Sequence, residues 1–127
     1  MKTFETAAFT MVIYNNQFIE FKIKKDVKLQ AKDIWESRDL SVAYMPGKKF
    51  YVLLEGEENA GASIDATRAG ASEEYAQHVA ALALYSNKTH QIIIGNLFLK
   101  INKPKVATRF FDDRDKAIAW LQSFAKD

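Results

Sequence analysis

Apolar and polar residues alternate with a period of two over residues 8–24, the pattern of half-buried β-strands. Asn15 and Asn16 interrupt the alternation, and because asparagine tolerates the left-handed backbone of tight turns, we predict a β-hairpin here. Since successive side chains of a strand point to opposite faces, one face of the second strand is expected to be buried. That face consists of Ile19, Phe21 and Ile23, and the opposite face of Glu20, Lys22 and Lys24.

Three later segments have the apolar character of strands. Residues 49–54 and 79–85 are nearly continuous apolar runs, typical of strands buried on both faces of a parallel sheet, and residues 106–111 form a third candidate. Periodicity alone also allows a helix at 79–85. This segment follows a short helical stretch and ends at Ser86 and Asn87, which favours a strand.

Helical periodicity and N-cap residues predict helices between and after these strands. The predicted helices are residues 28–38 with Asp26 as N-cap, two short helices beginning at Ser63 and Ser72, residues 89–101, and a final helix capped by Asp112. Strands that alternate with helices normally pair in parallel through right-handed crossovers. The sequence therefore predicts one α/β domain over residues 1–127, in the order ββαβαβαβα, with a mostly parallel sheet that opens with the hairpin.

The composition is that of an ordinary globular domain: 127 residues, 48% apolar and 27% charged. The chain has no cysteine, which excludes disulfides, thiolate metal sites and cysteine nucleophiles. A net charge of +2 is too balanced for an ordinary nucleic-acid-binding protein, so no nucleic acid partner is expected. The sequence shows no secretory signal and no apolar run long enough to span a membrane, so a cytoplasmic location is expected.

Charge is distributed unevenly along the chain. Residues 51–85 include one basic and six acidic residues, a net charge of −5. Residues 86–127 include eight basic and four acidic residues, a net charge of +4. The segments around residues 56–72 and 89–101 are therefore candidate surfaces of opposite charge.

No arrangement typical of an enzyme occurs in the sequence. His78 and His90 are the only histidines, and neither has a partner at metal-ligand spacing. The segment Gly61-Ala62-Ser63-Ile64-Asp65 resembles a nucleophile elbow only in part, because its last position is aspartate where the sharp turn needs glycine. We therefore predict no catalytic residue, no metal site and no cofactor.

Two serines are candidates for a phosphate or anion site. Ser63 and Ser72 each precede a predicted short helix, where unpaired backbone N–H groups attract anions. The simpler interpretation is that each hydroxyl caps its helix, and this interpretation is favoured.

A second candidate is an interaction surface on the helix predicted over residues 89–101. Ile92 and Leu99 fall on the side of that helix opposite its main apolar stripe, near Lys88 and Lys103. This side is suited to a protein partner, a membrane surface or a second copy of the chain. Burial under a neighbouring loop explains the same pattern equally well.

The ordered elements and several segments of the second half resemble a known family. The segments are Ala81-Leu82-Ala83-Leu84-Tyr85-Ser86, Ile94-Gly95-Asn96-Leu97-Phe98-Leu99-Lys100-Ile101-Asn102-Lys103-Pro104, Thr108-Arg109-Phe110-Phe111 and Lys116-Ala117-Ile118-Ala119-Trp120-Leu121. Together they resemble the bacterial STAS/SEC14-like families, which share the fold of anti-sigma-factor antagonists. The resemblance implies a STAS-like domain and carries structural rather than catalytic motifs.

Resemblance to the phosphorylated antagonists implies a switch in which a partner kinase phosphorylates a serine at the start of the helix after the third strand. Their usual Asp-Ser-x-Gly pattern is absent, because Leu54-Glu55-Gly56-Glu57-Glu58 ends the strand here and Ser63 is the nearest serine by position only. A phosphorylation switch is therefore not favoured. The SEC14-like side of the resemblance implies a bound lipid or another apolar ligand.

The leading expectation is a non-enzymatic regulatory or binding module that acts through contacts with an unidentified protein partner. The alternative is a carrier of a small apolar ligand or a protein associated with a membrane surface, of which the membrane surface is less favoured. A homodimer through Ile92 and Leu99 is a separate expectation.

Overall fold

The computed structural model describes residues 1–88 and 103–125. Its strands are β1 (Lys2–Glu5), β2 (Phe9–Ile13), β3 (Phe18–Ile23), β4 (Lys28–Leu29), β5 (Phe50–Gly56), β6 (Gly61–Ala62), β7 (Val79–Tyr85) and β8 (Ala107–Phe111). Its helices are α1 (Ala31–Tyr44), α2 (Ile64–Gly70), α3 (Glu73–Ala76) and α4 (Arg114–Phe124). The helix predicted over residues 89–101 lies outside the described residues.

Six of these strands form the main sheet, in the order β1-β2-β3-β5-β7-β8. The first three strands pair antiparallel, whereas β3, β5, β7 and β8 pair in parallel. Strands β4 and β6 form a separate parallel pair. The predicted α/β class, with a mostly parallel sheet that opens with a hairpin, is confirmed.

Helices cover both faces of the sheet. On one face, α1, α2 and α3 pack over a core to which β2, β3, β5 and β7 contribute. On the other face, α4 packs over the middle of β5 and β7. Ile19, Phe21 and Ile23 are 2–4% exposed, so the predicted buried face of β3 is confirmed. Phe21 stacks on Phe9 of the neighbouring strand with ring centroids 4.5 Å apart.

The predicted strand order missed three short strands. Strand β1 pairs with β2 through the register Lys2 to Ile13, although its alternation is too short to stand out in the sequence. The two-residue strands β4 and β6 pair with each other and have no periodic pattern of their own. These pairings form because the rest of the fold brings the segments side by side. The pattern of apolar and polar residues within each segment does not specify its partner.

Two helix starts were predicted at the wrong residue. Helix α1 begins after Gln30, whose backbone N–H donates to the Asp33 carboxylate at 2.8 Å, so Asp26 is not its cap. Asp26 instead has a positive φ of 61°. Helix α4 is capped by Asp113 rather than Asp112. In both places several polar residues stand close together, and only the backbone geometry selects one of them as cap.

None of the helices in the part of the chain that the structure describes is long and apolar enough to cross a membrane.

Candidate functional site

A groove of about 710 Å³ lies on the face of the sheet covered by α1 and α2, where β3, β5 and β7 end. The carboxyl ends of parallel strands meet at one edge of a sheet, and ligands of open α/β sheets bind in the crevice beyond that edge. The groove volume falls within the usual range of roughly 300–1,000 Å³ for small-molecule sites. This groove is therefore the candidate functional site.

The floor of the groove is formed by alternate side chains of adjacent strands. Leu54 of β5 pairs with Leu84 of β7, which in turn pairs with Phe110 of β8. Leu82 pairs in the same way with Thr108. Because side chains two residues apart share a face of the sheet, these residues line one surface. The hydroxyl of Thr108 donates to the backbone carbonyl of Val106, so the floor is almost entirely apolar.

Small residues make one wall of the groove. Helix α2 contributes Ala66, Thr67 and Gly70, and Ala71 follows it directly; before the helix, Ala60 and the two residues of β6, Gly61 and Ala62, also line the groove. A Cβ added at Gly70 would meet no described atom within 4 Å, and its φ is not in the left-handed region. Among the described residues, this wall carries little side-chain volume, which leaves space above the floor.

The exposed end of the lining carries most of its charge. Glu57 and Glu58 come directly after β5, and Lys88 comes after β7. Glu55 is one residue from Leu54 in the strand, so its side chain points to the opposite, α4 face of the sheet. One carboxylate oxygen of Glu57 accepts the backbone N–H of Lys25 at 2.8 Å. In the described lining the groove therefore joins an apolar floor to a predominantly acidic mouth.

Arg114 pairs with two carboxylates on the α4 face of the sheet, which is the face opposite the groove. Its guanidinium donates to the Glu55 carboxylate at 3.4 Å and to the Glu20 carboxylate on β3. The Tyr14 hydroxyl also donates to Glu20, and this hydrogen bond raises the pKa of Tyr14. Arg114 is the first residue of α4, so these ion pairs hold the start of that helix on the sheet.

The two predicted serines both cap helices. The Ser63 hydroxyl accepts the backbone N–H of Ala66 at 3.0 Å, and the Ser72 hydroxyl accepts that of Tyr75 at 3.1 Å. The Ser72 hydroxyl also donates to the carbonyl of Ala69 at 2.7 Å. These hydrogen bonds account for both serines in the structure, and their role as an anion or phosphorylation site remains a prediction.

The predicted interaction surface is only partly within the described residues. Ile92 and Leu99 lie outside them, so that surface and the homodimer through it remain predictions. Lys88 and Lys103 are both exposed, and Lys88 borders the groove. His78 lies just before β7, where its backbone carbonyl accepts the N–H of Phe50 at 3.0 Å. In the ranges 1–88 and 103–125, no group of three His, Cys, Asp or Glu residues is arranged to hold a metal ion.

The sequence did not identify the residues that form the groove floor. The side chains of Leu54, Leu82 and Leu84 belong to apolar runs that indicate only buried strands. The sequence did predict parallel strands, and parallel strands place their carboxyl ends at one edge of the sheet. This topology could have indicated where a site lies, although not which side chains form it. The run of small residues over 56–72, which the sequence singled out as a surface, supplies the wall and part of the mouth.

Comparisons with known proteins identify one family and one fold. A family model described as Domain of unknown function (DUF7793) matches residues 11–125. No curated protein gives a significant match. The chain is similar in structure to an uncharacterised protein of the DUF3478 family from Shewanella loihica PV-4, whose crystal structure at 2.25 Å resolution is described as having a SpoIIAA-like fold.

The structural match extends over nearly all of both proteins. It covers 95% of this chain and 99% of the other, with a TM-score of 0.60 and 17% sequence identity. The predicted STAS-like fold is therefore confirmed, since this likeness establishes a SpoIIAA-like fold.

Proposed function

We propose that this chain, which belongs to the DUF7793 family, is a non-enzymatic binding protein that holds a small, mainly apolar molecule in the groove. The observation that carries the proposal is the apolar floor of Leu54, Leu82, Leu84 and Phe110 at the carboxyl edge of the sheet. Removing such a surface from water is the main favourable term for an apolar ligand. The STAS-like fold is compatible with many functions, so the groove and not the fold supports this one.

The size of the groove sets the affinity we expect. A ligand of about 20 non-hydrogen atoms, at roughly −0.3 kcal/mol per atom, binds with about −6 kcal/mol. This free energy corresponds to a dissociation constant of some tens of micromolar. Binding assays therefore need protein and ligand in this concentration range.

Protein contacts were the leading expectation from the sequence, and the apolar ligand was the alternative. We now rank the apolar ligand first. The surface for protein contacts depends on Ile92 and Leu99, which lie outside the described residues, whereas the groove is built from described residues. A protein partner remains a prediction that the Ile92→Asp variant tests in a pull-down experiment.

A substitution at Gly70 tests the proposal directly. In Gly70→Leu, the new side chain projects from the wall of the groove, and its Cβ has no described atom within 4 Å. We expect binding of the neutral fluorophore Nile red, and its displacement by dodecanol, to weaken at least about tenfold. Removing a helical glycine should leave the protein as stable as before or more stable, by up to about 1 kcal/mol.

Ala43→Leu is the matched control, because Ala43 lies on the exposed side of α1 and does not line the groove. It adds the same apolar side chain and should bind Nile red as the unmodified protein does. Equal binding by the unmodified protein and a folded Gly70→Leu variant would place the ligand elsewhere and refute the proposal.

A further inference from the structure

We propose that a second copy of this chain pairs with the outer edge of β1, so that two main sheets join into one across a two-fold axis at Phe4. Strand β1 is the first strand of the main sheet, and among the described strands it pairs with β2 alone. An unpaired strand edge offers a row of backbone N–H and C=O groups to another strand. No residue of β1 lines the groove, so pairing at this edge is independent of the groove ligand.

The hydrogen bonds of the β1–β2 turn show which backbone groups of β1 point outward. The Thr6 N–H donates to the Phe9 carbonyl at 2.9 Å, so the backbone of Thr6 is directed towards β2. Successive residues of a strand direct their backbone groups to alternate sides. Phe4 therefore bonds to β2, whereas the N–H and C=O groups of Thr3 and Glu5 point away from the sheet. In the described ranges, no backbone group outside the β1–β2 pair bonds to them.

Two-fold symmetry allows few registers for β1 and its copy. Side chains directly opposite each other in a sheet share a face, so the axis is perpendicular to the sheet and one residue lies opposite itself. With Phe4 on the axis, Thr3 lies opposite Glu5 of the second copy, and all the outward backbone groups of both strands are paired. With Thr3 on the axis, Glu5 would need a partner beyond the start of β1. The register centred on Phe4 therefore uses the edge most completely.

The side chains of β1 suit this register. Phe4 is half-buried, packs against the core on the α1 face and would meet its own copy across the axis. Lys2 is on the same face, with its ammonium nitrogen 5.7 Å from the centroid of the Phe4 ring. Glu5 pairs with Lys24 of its own chain at 2.8 Å and would lie opposite an uncharged threonine. No two charges of the same sign are therefore opposed.

The other edge of the described sheet, β8, is less suited to pairing with itself. The Ser86 N–H donates to the Phe111 carbonyl, so the backbone of Phe111 is directed towards β7 and those of Thr108 and Phe110 point outward. The register that pairs all these outward groups has Arg109 on the axis, which places two guanidinium groups side by side. Charged side chains protect strand edges from pairing in this way. The apolar centre of β1 therefore makes it the edge that a second copy fits.

The oligomeric state of the full chain tests this pairing. The interface is small, so we expect a weak dimer with a dissociation constant of about 100 µM, measured by sedimentation equilibrium from about 10 µM to about 1 mM. Thr3→Pro removes an outward N–H, and strand edges tolerate proline where the N–H faces solvent. This variant should raise the dissociation constant at least about tenfold. The control Thr3→Ala keeps the N–H and should dimerise as the unmodified protein does.

A single introduced thiol tests the register, because the chain has no cysteine. In Phe4→Cys the two thiols would face each other across the axis, with Cα atoms about 4.5 Å apart, which a disulfide can span. In Thr3→Cys the two thiols would be diagonal neighbours about 7–8 Å apart, which is too far. Mild oxidation should therefore link Phe4→Cys into a covalent dimer and leave Thr3→Cys unlinked on a non-reducing gel.

Three results would overturn the proposal. The first is an unmodified chain that stays monomeric at about 1 mM. The second is a dimer that a folded Thr3→Pro variant leaves intact, and its loss in Ile92→Asp would assign the association to the other predicted surface. The third is disulfide formation by Thr3→Cys that equals or exceeds that by Phe4→Cys. If Thr3→Pro does not fold, the two cysteine variants decide the question.

Discussion

The Asp113 carboxylate accepts the backbone N–H of Lys116 at 3.1 Å, and this hydrogen bond fixes the start of α4. Helix starts leave backbone N–H groups without partners inside the helix, so a side-chain acceptor at this position stabilises the folded state. Asp112 stands one residue earlier and is exposed. The two neighbouring aspartates therefore differ in role although they have the same chemistry.

Substituting the two aspartates in turn should separate these roles. We expect Asp113→Ala to lower the free energy of unfolding by about 1 kcal/mol because it removes the cap. Asp112→Ala should change it by less than about 0.5 kcal/mol, as is usual for exposed positions. Urea unfolding followed by circular dichroism measures both values, and equal losses would show that capping does not distinguish the two residues.

Tyr75 provides a residue-scale prediction about pH. It packs into the core with 5% exposure, and its burial raises the pKa of the phenol far above its ordinary value of about 10. Above about pH 10 the unfolded chain loses this proton while the folded chain keeps it, so unfolding releases a proton and stability falls as pH rises. Below about pH 10 the Tyr75 phenol is protonated in both the folded and the unfolded chain, so its ionisation does not lower the stability there.

Tyr75→Phe should remove this part of the alkaline destabilisation. Between about pH 10 and 11, the free energy of unfolding of the unmodified protein should fall about 1 kcal/mol more than that of the variant. Tyr44→Phe serves as control, because Tyr44 is 36% exposed and its variant should follow the unmodified protein. The comparison uses urea unfolding at each pH. Identical pH profiles for all three proteins would mean that Tyr75 ionises inside the folded state.

At the scale of the elements, α4 is attached to the sheet in two ways. Ala117 and Leu121 are fully buried against β5 and β7, while Arg114 pairs with Glu20 of β3 and Glu55 of β5. The apolar contacts lie along the helix, and the ion pairs lie at its first residue. Burial stabilises the docked helix, and the ion pairs set the position of its first residue on the sheet.

Replacing Arg114 tests the contribution of the ion pairs. Arg114→Met keeps an apolar stem and leaves two carboxylates near each other, so we expect the free energy of unfolding at pH 7 to fall by about 1 kcal/mol. The value is modest because the Arg114 side chain is 39% exposed and solvent screens its charge. Thermal and urea unfolding measure the effect. The control Arg68→Met, at an exposed position of α2, should leave the free energy of unfolding nearly unchanged. If it lowers that free energy as much as Arg114→Met does, the loss comes from removing any positive charge and not from the ion pairs of Arg114.

At the scale of the whole molecule, the groove exists because segments distant in sequence converge. Ile23, Leu54, Leu84 and Phe110 come from four different strands and meet only because those strands lie side by side in one sheet. Parallel pairing then brings strand ends to one edge, and the small residues of α2 leave space above them. The proposed binding function therefore depends on the assembled fold and not on any single motif.

Local patterns in the amino-acid sequence were enough to predict the class of the fold and most of its elements. Strand periodicity placed the hairpin and the buried face of β3, apolar runs placed β5 and β7, and N-cap chemistry placed the starts after Ser63 and Ser72. These predictions are correct because side-chain alternation and helix capping depend on only a few neighbouring residues. The absence of cysteine and of metal-ligand spacing also follows from the sequence alone.

The remaining features of the fold and the groove depend on how distant segments come together in space. The pairings of β1 and of β4 with β6, the choice of Asp113 over Asp112, and the groove depend on contacts between distant segments or on the precise backbone path. A buried leucine has the same local pattern whether it faces a helix or an open groove, because the pattern records burial and not what lies opposite. The groove could therefore be located only from the three-dimensional arrangement of the strand ends and the small residues of its wall.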